Sequence, residues 1–92
     1  MLRLIAYDIK FPRRLRRMAL LCKDFGIRVE YSVFECDLSD GDFRTFWEQA
    51  NDLIDPDQDR IIAYSLCESC VSRIQYGGNV MRQVEKKRIY VF

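Results

Sequence analysis

Residues 2–26 of the chain read LRLIAYDIKFPRRLRRMALLCKDFG, and this stretch joins a strand signal to a helix signal. Its first six residues are mostly apolar and contain no helix breaker, which is typical of a buried central strand that ends at Asp8. Pro12 suits the first turn of a helix, and Gly26 suits the position just after its end. Apolar residues between them recur at helical spacing: Leu15, Met18, Ala19, Cys22 and Phe25. The stretch therefore predicts a strand followed by an amphipathic helix.

The remaining elements are indicated by residue type and spacing. Residues 27–38 are rich in β-branched and aromatic side chains, which predicts either one bent strand or two short ones. Ser39, with Asp42 three residues later, resembles a capping box and opens a second amphipathic helix that ends at Asp-Pro-Asp. Residues 60–66 and 71–76 are predicted as strands, and residues 88–92 as a final strand.

This order of elements predicts an α+β fold over residues 1–92, organised as one domain. Two helices on one face of an antiparallel sheet fit the ferredoxin-like (split β-α-β) architecture, here with an additional C-terminal strand. That strand has no obvious place in a four-stranded sheet, so we expect it to pair with a second subunit. A chain of 92 residues also buries only roughly 60 to 65% of its unfolded surface, so forming a homodimer would add stability.

Composition excludes several classes of protein. With 49% apolar and 32% charged residues, the chain does not have the composition of a disordered protein. It shows no apolar run of about 18 residues and no signal-peptide pattern, so a cytoplasmic location without membrane contact is expected. The net charge of +1 conceals a segregation of sign. Residues 1–30 carry eight Lys and Arg against three acids, residues 31–59 one against nine, and residues 60–92 six against two. Either a nucleic-acid surface or an inert dipolar surface would show this pattern.

The residue types also restrict the chemistry. The chain has no histidine, which excludes serine-histidine and cysteine-histidine catalysis. Asp8 is the sharpest candidate, because a carboxylate between a strand end and an arginine-rich helix start can meet a metal ion and a phosphate together. One carboxylate per chain is sparse for Mg²⁺, so a site shared by two subunits is chemically more convincing. The alternative is an aspartate that only caps the turn or the helix start.

Two further groups are candidates for binding. The opening of the first helix projects four arginines that could hold phosphate: Arg13, Arg14, Arg16 and Arg17. The pair Cys67 and Cys70 has a spacing found in zinc knuckles and redox motifs. A closed zinc site needs four ligands, which two subunits could supply as four thiolates. A thioredoxin-like motif should follow a strand at a helix start, whereas these cysteines are predicted between two strands. A reduced turn is the third interpretation.

Several segments resemble a known family. They are residues 4–9 (LIAYDI), the arginine-rich helix that follows, residues 28–36 (RVEYSVFEC) and residues 64–70 (YSLCESC). The sequence Tyr-Ser-Val-Phe-Glu downstream of Tyr7-Asp8 is the most specific of these features. From end to end the chain is similar to the small CRISPR-associated Cas-two proteins of the spacer-acquisition machinery.

The resemblance implies a homodimer of ferredoxin-like subunits whose C-terminal segments cross onto the partner's sheet. It implies a metal-dependent endonuclease, with Mg²⁺ or Mn²⁺ at Asp8 and its symmetry mate. Arg17, Arg28 and Phe34 match the family's supporting phosphate and active-site positions. Where some members have a further arginine two residues before the equivalent of Arg17, this chain has Leu15. The family also implies a second role, in which the dimer bridges integrase dimers and holds a DNA duplex on its basic surface.

Three functions are therefore open from the sequence. The first is a metal-dependent phosphodiesterase that cuts RNA or DNA, and the second is a non-catalytic DNA-binding scaffold that accompanies a CRISPR integrase. The third is a ferredoxin-like regulatory domain that binds a small ligand. Loss of cleavage in Asp8→Asn with spacer acquisition retained would separate the first two.

Overall fold

The computed structural model describes residues 1–78, which form four strands and three helices. They are β1 (Leu2–Asp8), α1 (Pro12–Phe25), β2 (Ile27–Glu30), β3 (Val33–Asp37), α2 (Asp40–Leu53), β4 (Arg60–Leu66) and α3 (Glu68–Val71). The strand expected at residues 88–92 lies outside the described residues. Within residues 1–78, no helix combines the length and the apolar character needed to cross a bilayer.

The four strands form one antiparallel sheet in the order β2-β3-β1-β4. The apolar β1 lies in the interior, between β3 and β4, as its sequence predicts. Residues 27–38 form two short strands, and the register between them shifts between Arg28 and Glu30. With one helix following β1 and another following β3, the described residues have the ferredoxin-like arrangement. The predicted fold class is confirmed.

The first helix has the bounds that Pro12 and Gly26 predict. Met18 and Cys22 of its apolar face are fully buried. The Gly26 amide donates a hydrogen bond to the Cys22 carbonyl at 2.9 Å and closes the last turn. A Cβ at position 26 would overlap with the Glu35 carbonyl oxygen, so the missing side chain lets the chain pass close to β3.

The second helix is capped as the sequence predicts. Ser39 Oγ accepts a hydrogen bond from the Asp42 amide at 3.1 Å. Phe46 and Ala50 are buried on the inner face of the helix. The Phe25 and Phe46 rings meet edge to face with centroids 5.4 Å apart, which joins the two long helices over the sheet.

Within residues 1–78 the helices cover one surface of the sheet and leave the other without a helix, and β1 shows the difference. Arg3, Ile5 and Tyr7 are buried under the helices, whereas the alternate side chains point the other way. We call the surface away from the helices the open face. By register it carries Leu2, Leu4, Ala6 and Asp8 of β1, Val33, Glu35 and Asp37 of β3, and Arg60, Ile62, Tyr64 and Leu66 of β4.

A buried arginine lies under the helices at the start of β1. The Arg3 guanidinium donates hydrogen bonds to Asp40 Oδ1 at 2.7 Å, to the Leu38 carbonyl at 3.2 Å and to Ser65 Oγ at 2.9 Å. It also lies 4.5 Å from the centroid of the Phe43 ring. Arg3 therefore ties β1, β4 and the start of α2 together, and its hydrogen bond to Asp40, helped by its charge, lowers the pKa of that carboxyl.

The prediction of a strand at residues 71–76 is wrong. The chain leaves β4 and forms the short helix α3, with Cys67 immediately before it. Residues 74–77 after the helix have no regular structure. Tyr76 donates a hydrogen bond to Glu35 on the open face, so this segment returns from β4 to β3. The alternation of residue types in 71–76 is too short to distinguish a strand from the end of a helical turn followed by an irregular segment.

Candidate functional site

Asp8 ends β1 on the open face. Alternation along the strand sends Tyr7 into the core and Asp8 to solvent, where 68% of the aspartate side chain is exposed. Arg60 of β4 is the partner of Asp8 in the sheet register. Lys10 Nζ lies 3.7 Å from Asp8 Oδ2. The candidate metal ligand is therefore accessible, with one cationic side chain beside it and a second cationic residue paired with it in the sheet.

An open depression of about 610 Å³ lies beside Asp8. It is lined by Asp8 and Lys10 and by the loop that enters β4, residues 56–60. Its volume falls in the range of small-ligand sites, so it has room for a phosphodiester group and its hydration. The lining combines carboxylates with cations, which suits a phosphate held beside a metal-binding oxygen.

Asp59 fixes the loop on one side of this depression. Its side chain is wholly buried, and its oxygens accept hydrogen bonds from the Lys10 amide at 3.0 Å and the Asp55 amide at 2.9 Å. Arg14 completes the set, with Nε 2.7 Å from Oδ2 and Nη2 3.3 Å from Oδ1. The Arg14 hydrogen bonds, helped by those two amides, hold the pKa of Asp59 far below its usual range although burial acts in the opposite direction.

Arg14 is consequently engaged inside the protein. Sequence spacing placed it among four outward arginines, but its guanidinium is bound to Asp59 and lies 4.8 Å from the centroid of the Phe11 ring. The physical reason is the desolvated Asp59 carboxylate, which needs a cation that solvent cannot supply. Arg14 thus holds Asp59 and the loop that lines the depression beside Asp8, and its guanidinium is not free to bind phosphate.

The other three arginines of this helix are exposed. We call them the exposed arginine group: Arg13, Arg16 and Arg17. None of them forms an ion pair or side-chain hydrogen bond with another residue of the described range 1–78. Guanidinium groups in this state can bind phosphate bidentately without first breaking an internal contact.

Arg28 and Phe34 lie on the other side of the sheet from Asp8. They are partners in the register between β2 and β3, and the Phe34 ring is fully buried. The half-buried Arg28 guanidinium lies 5.2 Å from the centroid of Phe34 and 5.6 Å from that of Tyr31. Direct contact with a substrate is thus open to Arg28, whereas Phe34 can act only by supporting Arg28.

The Tyr7 hydroxyl is a buried neighbour of Arg28. Neither this hydroxyl nor Arg28 Nε makes a hydrogen bond of good geometry within residues 1–78. Burial raises the pKa of Tyr7, and the nearby Arg28 guanidinium opposes that rise. Tyr7 therefore stays protonated at neutral pH and is unsuited to act as a base.

Asp8 is a partial site for a cation. Among residues 1–78, no three His, Cys, Asp or Glu side chains come together as a ligand set. The exposed Asp8 carboxylate nevertheless supplies the hard oxygen donor that Mg²⁺ and Mn²⁺ prefer, and Mg²⁺ commonly uses one or two carboxylates together with waters and phosphate oxygens. One chain therefore fits a hard cation only if a substrate or a second chain completes the coordination.

Sequence reasoning missed three residues around Asp8, namely Lys10, Asp59 and Arg60. The available signal was the acidic run at residues 55–59 directly before a predicted strand. β4 pairs with β1 in the antiparallel direction, so it begins beside the residue at which β1 ends. This pairing places Asp59 and Arg60 near Asp8.

Comparison with known proteins places the chain among relatives. A family model described as CRISPR associated protein Cas2 matches residues 1–74. A CRISPR-associated endoribonuclease Cas2 of Chloroflexus aurantiacus is 38% identical over 89 residues, which cover 96% of this chain and 96% of the relative. Another protein of that name, from Moorella thermoacetica, is 39% identical over 83 residues and covers 84% and 86%.

A solved structure shows the same fold. The crystal structure of Streptococcus pyogenes Cas2 superposes with a TM-score of 0.77 at 35% sequence identity. The match covers 85% of this chain and all of the other chain. This chain therefore resembles that protein in both sequence and backbone fold over most of its length.

Proposed function

The chain belongs to the CRISPR associated protein Cas2 family, and we propose that it is a metal-dependent endonuclease that acts as a homodimer on phosphodiester bonds. The observation that carries this proposal is the exposed Asp8 carboxylate at the end of a central strand, beside a depression that also contains Lys10 and Arg60. Two relatives are named endoribonucleases, so single-stranded RNA is the first substrate to test, with duplex DNA as the alternative.

Asp8 and Asp8 of a second subunit would hold the cation, Mg²⁺ or Mn²⁺. A bound divalent cation supplies a coordinated water of lowered pKa and neutralises charge on the phosphate. Arg60 and Lys10 would bind the phosphate oxygens and so position the diester. Lys10 competes with the cation for Asp8, but its side chain is 60% exposed and is long enough to turn to the phosphate.

The open face supports the dimer. Ile62 and Tyr64 are 46% and 55% exposed there, next to half-buried Leu4 and Ala6. Apolar side chains on a sheet face usually pack against another layer. Two open faces packed around a two-fold axis would bury these residues and bring two Asp8 residues towards one another.

The dimer can be tested by sedimentation. Ile62→Asp should give monomer, whereas Leu20→Asp, a change at an apolar residue that is 56% exposed on α1, should leave the dimer intact. Deletion of residues 89–92 should also give monomer or aggregate, because the C-terminal strand is expected to pair with the partner. Dimers in both the Ile62→Asp protein and the truncated protein would contradict this assembly.

The nuclease can be tested with two matched carboxylate variants. Asp8→Asn removes the proposed ligand, and Asp57→Asn makes the same change at an exposed residue of the same depression. RNA and duplex DNA are incubated with Mg²⁺ or Mn²⁺, or with a chelator. The cleavage rate of Asp8→Asn should fall by more than the roughly 10- to 100-fold that is typical when a residue that only supports a metal ligand is replaced. Equal cleavage by Asp8→Asn and wild type, in folded protein, would refute the assignment.

A DNA-binding scaffold is the second candidate, and the exposed arginine group favours it. Three guanidinium groups without internal partners among residues 1–78 can bind a duplex whether or not Asp8 holds a cation. The partner in this role would be a CRISPR integrase. Duplex binding and spacer acquisition that survive Asp8→Asn but not alanine at the exposed arginine group would favour the scaffold.

A further inference from the structure

Two exposed cysteines lie together where the chain leaves β4. Cys67 and Cys70 have their Sγ atoms 3.6 Å apart, and Cys67 Sγ lies 3.2 Å from Ser69 Oγ. Cys22 and Cys36, in contrast, are fully buried in the core. The molecule therefore has one solvent-accessible dithiol and two thiols that solvent cannot reach.

The local fold differs from the sequence expectation in a way that matters for these thiols. The predicted arrangement put the pair between two strands, which argued against a redox motif. The structure instead places Cys67 directly after β4 and directly before α3, with Cys70 within the turn of helix. The order of strand, cysteine and helical turn is the one expected for a thioredoxin-like Cys-x-x-Cys motif, so the local structure no longer argues against a redox role.

We propose that Cys67 and Cys70 form a redox-active dithiol that a low-molecular-weight disulfide, such as glutathione disulfide, converts into an intramolecular disulfide. The sulfurs are already in van der Waals contact, so a disulfide requires a further approach of about 1.5 Å, which side-chain rotation can supply. The disulfide would close a loop of residues 67–70, and every side chain of α3 is partly or fully exposed. Closing this loop therefore displaces no buried side chain of the helix.

The two thiols differ in acidity, which assigns their roles. Hydrogen bonds from Ser69, and then from the amide and thiol of Cys70, lower the pKa of Cys67 to about 7. Cys70 donates to that sulfur, and this raises its own pKa above the ordinary value. Burial raises the pKa of Cys22 to about 12, which keeps that thiol unreactive. Cys67 is thus the attacking thiolate, and Cys70 resolves the mixed disulfide.

The exchange balances in two steps. The Cys67 thiolate attacks one sulfur of the small disulfide, forms a mixed disulfide and releases one small thiolate. Cys70 then gives its proton to solvent and attacks Cys67 Sγ, which forms the intramolecular bond and releases the second small thiolate. Two electrons pass from the protein dithiol to the small disulfide, which leaves as two thiols.

The position of the dithiol makes its oxidation state consequential. α3 links β4 to the segment that returns across the sheet, where Tyr76 binds Glu35. A disulfide would fix the turn from which this segment departs. A zinc site is the competing chemistry, but no third ligand joins the two cysteines within residues 1–78.

The test is oxidation of the full-length protein in glutathione buffers, followed by acid quenching, alkylation and peptide mass mapping. Wild type should form the Cys67–Cys70 disulfide, and Cys70→Ser should accumulate glutathione on Cys67. At pH 7, alkylation of Cys67 in Cys70→Ser should be at least severalfold faster than alkylation of Cys70 in Cys67→Ser, because the hydrogen bonds from Ser69 and from the amide of residue 70 still favour the Cys67 thiolate. Cys22 and Cys36 should react only after denaturation.

Three results would overturn the proposal. The first is a dithiol that stays reduced at a large excess of glutathione disulfide. The second is a disulfide that joins two chains, which non-reducing electrophoresis detects. The third is protein purified with stoichiometric zinc that blocks alkylation of both thiols until a chelator is added. None of these readouts depends on nuclease activity, so the proposal stands or fails independently of the proposed function.

Discussion

Asp59 should contribute strongly to stability, because its carboxylate has no exposed surface and joins the loop before β4 to α1. It accepts hydrogen bonds from the amides of Lys10 and Asp55 and from the Arg14 guanidinium. Asp59→Ala leaves all three donors without their partner. Removing one member of a buried ion pair typically costs about 3 to 5 kcal/mol, a large part of the roughly 5 to 15 kcal/mol by which domains are stable. For a domain of this size the loss corresponds to a Tm lower by at least about 12 °C.

Urea unfolding followed by the fluorescence of Trp47, the one tryptophan in the chain, measures this loss. Asp57→Ala is the matched control, since it removes an exposed carboxylate from the same loop and should change the free energy of unfolding by less than about 0.5 kcal/mol. The Arg14→Ala, Asp59→Ala double variant should lose less than the sum of its single variants. A loss in Asp59→Ala below about 1 kcal/mol would refute the reasoning.

The same residue predicts an acid dependence. The Arg14 hydrogen bonds and the two amides lower the folded-state pKa of Asp59, whereas an unfolded aspartate has a pKa of about 3.9. The stability from its charge is therefore complete above about pH 4 and is lost as the pH falls towards the folded-state pKa. The difference in stability between wild type and Asp59→Asn should be constant near neutral pH and shrink below about pH 4. A difference that grows on acidification would contradict the assignment.

Three further predictions concern binding, packing and catalysis. Alanine at the exposed arginine group should reduce the slope of log affinity against log salt for duplex DNA by about 0.9 for each phosphate that the protein no longer neutralises. Arg14→Ala should mainly lower stability and leave this slope unchanged. Equal slopes for the two variants in binding titrations would oppose this prediction. Gly26→Ala should cost about 1 to 3 kcal/mol or more in urea unfolding, because its Cβ would overlap with the Glu35 carbonyl and Cys36 Sγ. Cleavage rates should rise towards alkaline pH, since a metal-bound water must lose a proton without help from histidine, and a maximum near pH 6 would count against the mechanism.

Local signals made most of the fold predictable. Pro12, Gly26 and Ser39 mark helix ends through contacts with their own neighbours in sequence, and all three have the predicted positions. The strand prediction for 71–76 was wrong, because residues at a chain turn can carry strand-like side chains without a neighbouring strand to pair with. Here the Tyr76 side chain hydrogen-bonds to Glu35, 41 residues earlier in the chain, and its backbone does not pair with a strand of residues 1–78.

The candidate site was less predictable, because its contacts are distant in sequence. Asp8 follows from the end of a strand, but the Arg14–Asp59 pair joins residues 45 positions apart. Buried Arg3 is similar, since its partner Asp40 lies 37 positions away. A charged residue has the same appearance in a sequence whether it is solvated or enclosed, so periodicity assigned Arg14 to the surface.

The alternation of β1 divides a single strand between two kinds of mutational consequence. Odd-numbered positions such as Ile5 face the core, so their substitutions should register as folding defects, while even-numbered Leu4 and Asp8 should tolerate change in the isolated subunit. Insertion of one residue within the strand would exchange the two sets, moving the Asp8 carboxylate towards the hydrophobic interior and Tyr7 towards solvent. Whether a position in this strand is odd or even, more than the residue type, thus decides whether a substitution there impairs folding. A deep mutational scan of residues 2–8 should oscillate with a period of two when it is read for abundance.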